Sequence, residues 1–244
     1  MFKDACLKNR EAIYGIRAFT QISKTQVVNA TGSGFAISPE IIATVSHLVH
    51  IENDPKRIHA SIEVIRSPDI GQPMESATLI AEDPDHDIAL LKINNSRSKE
   101  FLKLDPNKSP TGTSCGSIGF PLGEMIQNNS GKLGFNLLER FQGSYVSAFT
   151  KMHNWSGKLV DYYEIDSLMY NGSSGCPGFL PNSIVIGMQS QSLLGRDVAE
   201  VARNVNKGHG KGSRKSVVNS QLAISMWVPS MDIIKFAQNQ GIAI

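Results

Sequence analysis

The chain has 244 residues, 41% of them hydrophobic and 19% charged, which suits one large domain or two small lobes around a substantial core and excludes a disordered chain. A net charge of +2 is too small an excess to imply nucleic acid, and no window approaches the roughly eighteen apolar residues of a membrane-spanning helix. Cys6, Cys115 and Cys176 stand at unrelated spacings and no Cys/His pair has zinc-ligand spacing, so neither a disulfide framework nor a local metal site is expected.

The opening segment, MFKDACLKNREAIYGIRAFT, places no apolar run behind a basic start, so no secretory signal and a cytosolic location are expected. Short runs rich in β-branched residues follow between turn signals: AIYGIRAFT, GSGFAIS, IIATVSH, SIEVIRS, ATLIAED and IALLKI. Their length and their Gly, Pro, Asn and Asp punctuation predict strands of a barrel or sandwich. The polar segment from Asn94 to Gly112 reads as a connector. A second series, TSCGSIGFP, GSYVSAFT, LVDYYEID, SIVIGMQSQS and QLAISMWVP, predicts another β lobe. The reading is thus one all-β domain over 1–244, with lobe 1 at about 11–95, a linker at about 96–111 and lobe 2 at about 112–244. Its one strong helix is C-terminal: Ser230 after Pro229 caps MDIIKFAQNQG, Ile233, Ile234 and Ala237 face the barrel, and Gly241 ends it. RDVAEVARN is a weaker helical stretch.

Chemistry enters with YNGSSGCPGF, Tyr170 to Phe179. By itself the run is turn-like, since Gly, Ser and Asn are ordinary turn residues. A base and an acid are needed to activate one of its hydroxyls. The chain offers His47 after an apolar strand, where a buried core histidine is the plainer reading, and EDPDHD, where Asp83 and Asp85 rival Asp87. Ser173 likewise rivals Ser174.

Taken together, the motifs resemble those of chymotrypsin-fold (trypsin-like) serine proteases, above all the HtrA-like group. TGSGFAISPEIIATVSHLV resembles the Gly-Ser-Gly-Phe strand leading to Thr-x-x-His, and DPDHDIALLKI the Asp-x-Asp-x-Asp-Ile-Ala-Leu-Leu segment. EIDSLMYNGSSGCP is similar, without a gap, to Asp-x-x-x-x-x-Gly-Asn-Ser-Gly-Gly-Pro. SIGFPLG, GSYVSAF, IVIGMQS and MWVPSMDII follow in family order, so the resemblance runs from about Ile13 to the C-terminus.

The resemblance implies a double β-barrel with a C-terminal helix and a site in the cleft between the barrels. His47 and Asp87 would come from the first barrel and Ser174 from the second; the spacing to Gly172 and Gly175 favours Ser174 over Ser173, and only Asp87 immediately precedes the apolar strand. The backbone N–H groups of Gly172 and Ser174 would form the oxyanion hole, and Leu168 and Met169 the floor of the primary substrate pocket. The expected activity is hydrolysis of peptide bonds in protein substrates, with no cofactor and no metal. The alternative is a protease-fold protein that binds a partner without hydrolysing it, since fold never guarantees chemistry.

This chain departs from the family pattern in several places. Ser173 stands where the digestive branch has an aspartate that receives a newly cut N-terminal amine, so activity without N-terminal processing is expected. Cys176 replaces a glycine and reads as a small packing residue. With the sequence ending just past the terminal helix, no PDZ domain is expected, and substrate delivery is expected to come from a partner, an oligomer or the catalytic surface itself. Two stretches exceed the family's lengths. Leu122 to Gln142 reads as a surface excursion anchored by Phe135, Leu137 and Leu138; Leu193 to Asn219 ends in a basic run, 203–215, that reads as a solvated loop, or more weakly as a gate or a dock for an acidic partner.

Overall fold

The computed structural model describes residues 1–23, 26–51, 54, 56–93, 99–127, 133–168, 170–194 and 223–244. The first barrel is built from β1 (Ile13–Gln21), β2 (Val27–Ser38), β3 (Ile41–Thr44), β4 (Ser61–Arg66), β5 (Glu75–Asp83) and β6 (Ile88–Ile93). It closes in the order β1-β2-β3-β6-β5-β4, all antiparallel. Burial follows the sequence: β3 is buried throughout and β6 at all but Lys92, whereas most of β5 alternates between half-buried and exposed residues along its length. Central positions thus select near-continuous Ile, Leu and Ala, and the outer strand selects a period of two.

The second barrel closes in the order β10-β11-β14-β13-β12-β7. Its strands are β7 (Ser114–Gly119), β10 (Arg140–His153), β11 (Leu159–Ile165), β12 (Pro177–Phe179), β13 (Val185–Leu194) and β14 (Ala223–Pro229). All the strands expected from sequence are present; β12, three residues long, was too short to leave a periodic signal. β8 (Glu124–Gln127) and β9 (Leu133–Asn136) pair as a separate ribbon within the Leu122–Gln142 excursion. Of its expected anchors, Leu137 is buried against Gly15 of the first barrel, but Leu138 is 59% exposed and anchors nothing. The side chain of Phe135 lies outside the described residues, as do RDVAEVARN and the basic run 203–215.

One apolar cluster runs through both barrels, from Ile16, Phe35, Ile42 and Leu90 to Phe120, Tyr162, Phe179 and Met188. A smaller one surrounds Trp227. There Gly178 is a packing necessity, because a Cβ on it would stand 1.9 Å from the Trp227 ring.

Two short helices were not anticipated. α1 (Lys3–Asn9) has Phe2 at its N-cap without a capping hydrogen bond, so the usual sequence signal was missing. Phe2 instead packs on Phe141 and Phe179, with ring centroids 5.4 and 6.1 Å away. α2 (Ser46–Val49) is a single turn after β3 and carries His47. The C-terminal α3 (Ser230–Asn239) buries Ile233 and Ala237, leaves Ile234 half-buried and stops before Gly241. Ser230 does not cap it: its hydroxyl donates to the Asp105 carbonyl at 2.6 Å, and Pro229 occupies the N-cap position.

Among the described residues no helix is long and apolar enough to cross a membrane, and no group of three or more His, Cys, Asp or Glu is arranged to hold a metal ion.

Candidate active site

The loop between β5 and β6 turns tightly at Asp83–Asp87, where the His86 amide donates to the Asp83 carbonyl and the Asp87 amide to the Pro84 carbonyl. The turn leaves Asp87 at φ 57°, a left-handed conformation that a non-glycine residue adopts only when its surroundings fix it. Asp87 is fully buried. Its rivals are otherwise engaged: Asp83 accepts from His86 at 2.7 Å and Asp85 lies 3.6 Å from the Lys158 ammonium.

The Asp87 carboxylate faces α2. Oδ1 accepts from the His47 backbone N–H at 2.9 Å, and Oδ2 lies 2.9 Å from His47 Nδ1. A carboxylate at Nδ1 fixes the proton there and leaves Nε2 as the acceptor. Nε2 is 3.1 Å from the Ser174 hydroxyl, which arrives from the second barrel. A further donor, Ser190 Oγ on β13, bonds Asp87 Oδ2 across the interface. Sequence reasoning gave Ser190 no role, because a partner 103 residues away leaves no local signature.

Burial of the imidazole pulls the His47 pKa down, but the charge of Asp87 and the hydrogen bond to it together outweigh that and leave it above the ordinary value. The His47 side chain keeps 21% exposure, so a ligand can reach it.

Ser173 points elsewhere: it is 4% exposed, its hydroxyl accepts from the Tyr170 amide, and it lines a cavity of about 240 Å³ with Arg140 and Gln189. The loop bearing Ser174 is held by contacts from the first barrel. Ser33 on β2 donates its amide N–H to the Ser174 carbonyl at 2.8 Å; its hydroxyl donates to the Gly172 carbonyl at 2.9 Å and accepts from the Phe120 N–H at 2.9 Å. Thr44 in turn donates to the Ser33 carbonyl. The loop glycines are dictated by this fit. Gly172 and Gly175 sit at φ +87° and +86°, and a Cβ on Gly175 would lie 1.9 Å from the Ser33 carbonyl oxygen. Among the described residues the N–H groups of Gly172 and Ser174 have no hydrogen-bond partner, which leaves two donors beside the Ser174 hydroxyl.

Cys176 is buried, and burial pushes its thiol up to about 12, so it is no thiolate at neutral pH. Its sulfur fills the space opposite Gly119, where a Cβ would meet it at 2.1 Å. Leu168 is half-buried and Met169 lies outside the described residues.

The assembled geometry can pass a proton from a serine hydroxyl to an imidazole held by a buried carboxylate, and offers backbone donors to a developing negative charge.

A protein-family model described as trypsin-like peptidase domain matches residues 32–188. No curated protein is significantly similar to the chain in sequence. Among solved structures, the active form of the Rv3671c protease from M. tuberculosis superposes with a TM-score of 0.64 at 16% identity, covering 98% of this chain and 85% of that one. A serine-to-alanine mutant of the same protease, in an inactive form, gives 0.63 at 15% identity, covering 97% and 90%. At such identities the likeness is one of fold.

Proposed function

The chain belongs to the trypsin-like peptidase domain family, with a chymotrypsin-like double barrel, and from that premise we propose that it is a serine endopeptidase whose catalytic residues are His47, Asp87 and Ser174. The observation that carries the reading is the unbroken hydrogen-bonded line from Asp87 through His47 to Ser174, assembled from two barrels.

In this mechanism Ser174 Oγ attacks the scissile carbonyl carbon while His47 Nε2 takes its proton. Asp87 keeps the imidazole oriented and stabilises the imidazolium. The tetrahedral oxyanion is bound by the N–H groups of Gly172 and Ser174. Collapse breaks the C–N bond, His47 returns the proton to the leaving amine, and water attacks the resulting acyl-enzyme by the same route in reverse.

The finer reading is an HtrA-like enzyme acting on protein or peptide substrates in the cytosol, with an activating partner or oligomer as the source of substrate delivery. The motif order and the uncharged Ser173 support it. Leu168 and Met169 put no carboxylate at the expected pocket floor, and a buried unpaired Lys or Arg would be costly there. Cleavage is therefore expected after small or medium apolar residues; a peptide library cut chiefly after Lys or Arg would overturn that preference.

The test of the activity is covalent labelling with a fluorophosphonate, which needs an activated serine and an oxyanion hole but no known substrate. Wild type is expected to label at Ser174 and Ser174→Ala not at all. Turnover should fall about a million-fold on loss of Ser174 or His47 and somewhat less on loss of Asp87. A folded wild type that resists the probe even with partners added would leave a binding module as the better account, and a label on Ser173 would overturn the assignment of Ser174.

A further inference from the structure

Asn154 stands at the tip of the hairpin joining β10 to β11 in the second barrel, outside every motif above, yet it is only 6% exposed. Its side-chain oxygen accepts from the Ser156 N–H at 3.0 Å, the Ser156 hydroxyl at 2.9 Å and the Lys158 N–H at 2.9 Å, which ties up the tip. Its Nδ2 donates across to the first barrel, to the carbonyls of Pro84 at 2.8 Å and Asp85 at 2.9 Å. The amide is unambiguous, because a flip would set its oxygen against two carbonyls and its nitrogen against two backbone N–H donors.

The target is the turn that aims Asp87. The Pro84 carbonyl accepts from both Asn154 and the Asp87 amide, the latter at 3.4 Å, and that turn is what holds Asp87 at positive φ. The same tip brings Trp155 to 6.5 Å from the His47 ring and 5.2 Å from the His50 ring, between centroids. His50 is itself fixed by Glu82 at 2.7 Å.

We propose that Asn154 is a positioning residue for catalysis: through the Pro84 and Asp85 carbonyls, the second barrel sets the conformation of Asp87, and so the orientation of His47, in the first. The inference rests on the triad reading above and adds a residue to it. It follows from where the bonds go. A residue serving only the hairpin would use its oxygen and leave its nitrogen to water, whereas here both N–H donors are spent on the turn before Asp87.

The test separates those two jobs. Asn154→Ser keeps a short acceptor for the tip but cannot reach Pro84; Asn154→Asp keeps the acceptor and loses the donor. Both should slow fluorophosphonate labelling of Ser174 at saturating probe by about a hundredfold, as small misplacements of catalytic groups do, with the half-saturating probe concentration unchanged. The downfield proton signal of the His47 Nδ1–Asp87 hydrogen bond, assigned by its loss in His47→Ala, should shift or broaden. Lys158→Ala, which removes only the exposed ion pair to Asp85, should label like wild type. Labelling of both Asn154 variants within about twofold of wild type, a loss confined to probe saturation, or an equal loss in Lys158→Ala would overturn the proposal. Should wild type itself resist the probe, the enzyme reading fails while the proton signal still decides: unchanged in both variants, it sinks the positioning role as well.

Discussion

His47 gives the clearest prediction at the scale of a residue. In the proposed mechanism it must be neutral to accept the serine proton, and Asp87 holds its pKa above the ordinary 6.5 against the opposing effect of burial. The acid limb of a pH profile of labelling rate should therefore have its midpoint above 6.5, and Asp87→Asn should move it down; a midpoint below 6.5 in wild type would contradict the shift. The linked effect on stability has the opposite sense. A proton bound more tightly in the folded state contributes stability that is complete below the unfolded pKa and is lost as pH rises through the folded one. Ser33 is the other decisive residue, since its hydroxyl joins the Gly172 carbonyl to the Phe120 N–H in a fully buried place. Ser33→Ala strands the Gly172 carbonyl at a cost of about 1–3 kcal/mol. Part of that cost should fall on the oxyanion loop, slowing labelling about tenfold or more while circular dichroism shows the fold retained.

Among the elements, α1 bears on activation. Phe2 is seated on Phe141 and Phe179, Arg10 lies 3.4 Å from Glu139, and the cavity behind the Gly172–Gly175 loop presents Ser173 rather than a carboxylate to an incoming amine. Protein with Met1 intact should therefore be active, and trimming to Ile13 should lower the melting temperature without raising activity. An inactive full-length protein that turns over only once trimmed would reverse this reading. β12 makes a sharper structural point. Gly178→Ala drives a methyl into the Trp227 ring, an overpacking that should cost about 3 kcal/mol by denaturant titration, because neither the strand nor the fully buried indole has room to yield. The elements also mark where local sequence is informative. Every predicted strand stood out as a short apolar run between turn residues, whereas α1 has no capping residue and β12, three residues long, is too short to register as one.

The molecule as a whole is two barrels sharing one apolar cluster and exchanging buried polar contacts in both directions: Ser33 reaches into the second, Ser190 and Asn154 into the first. They should melt together. Tryptophan fluorescence, which reports Trp155 and Trp227 of the second barrel, should fall in the same transition as the far-ultraviolet signal of both; two separated transitions would show the lobes to be independent. The sequence by itself determined the all-β class, the two lobes, the terminal helix and the order His47, Asp87, Ser174, because strand periodicity and short motifs are written in neighbouring residues. Tertiary structure decided how these side chains meet, with Asp87 2.9 Å from His47 Nδ1 and Ser174 3.1 Å from Nε2. It also decided that Cys176 fills the space left by Gly119, that Ser33 bonds the Gly172 carbonyl, that Ser190 bonds Asp87 and that Asn154 bonds the turn before it. Those roles depend on pairs of residues from 40 to 139 positions apart, brought into contact only when each barrel has closed and, for Ser33, Ser190, Asn154 and Ser174, when the two have docked; no local pattern encodes such a distance.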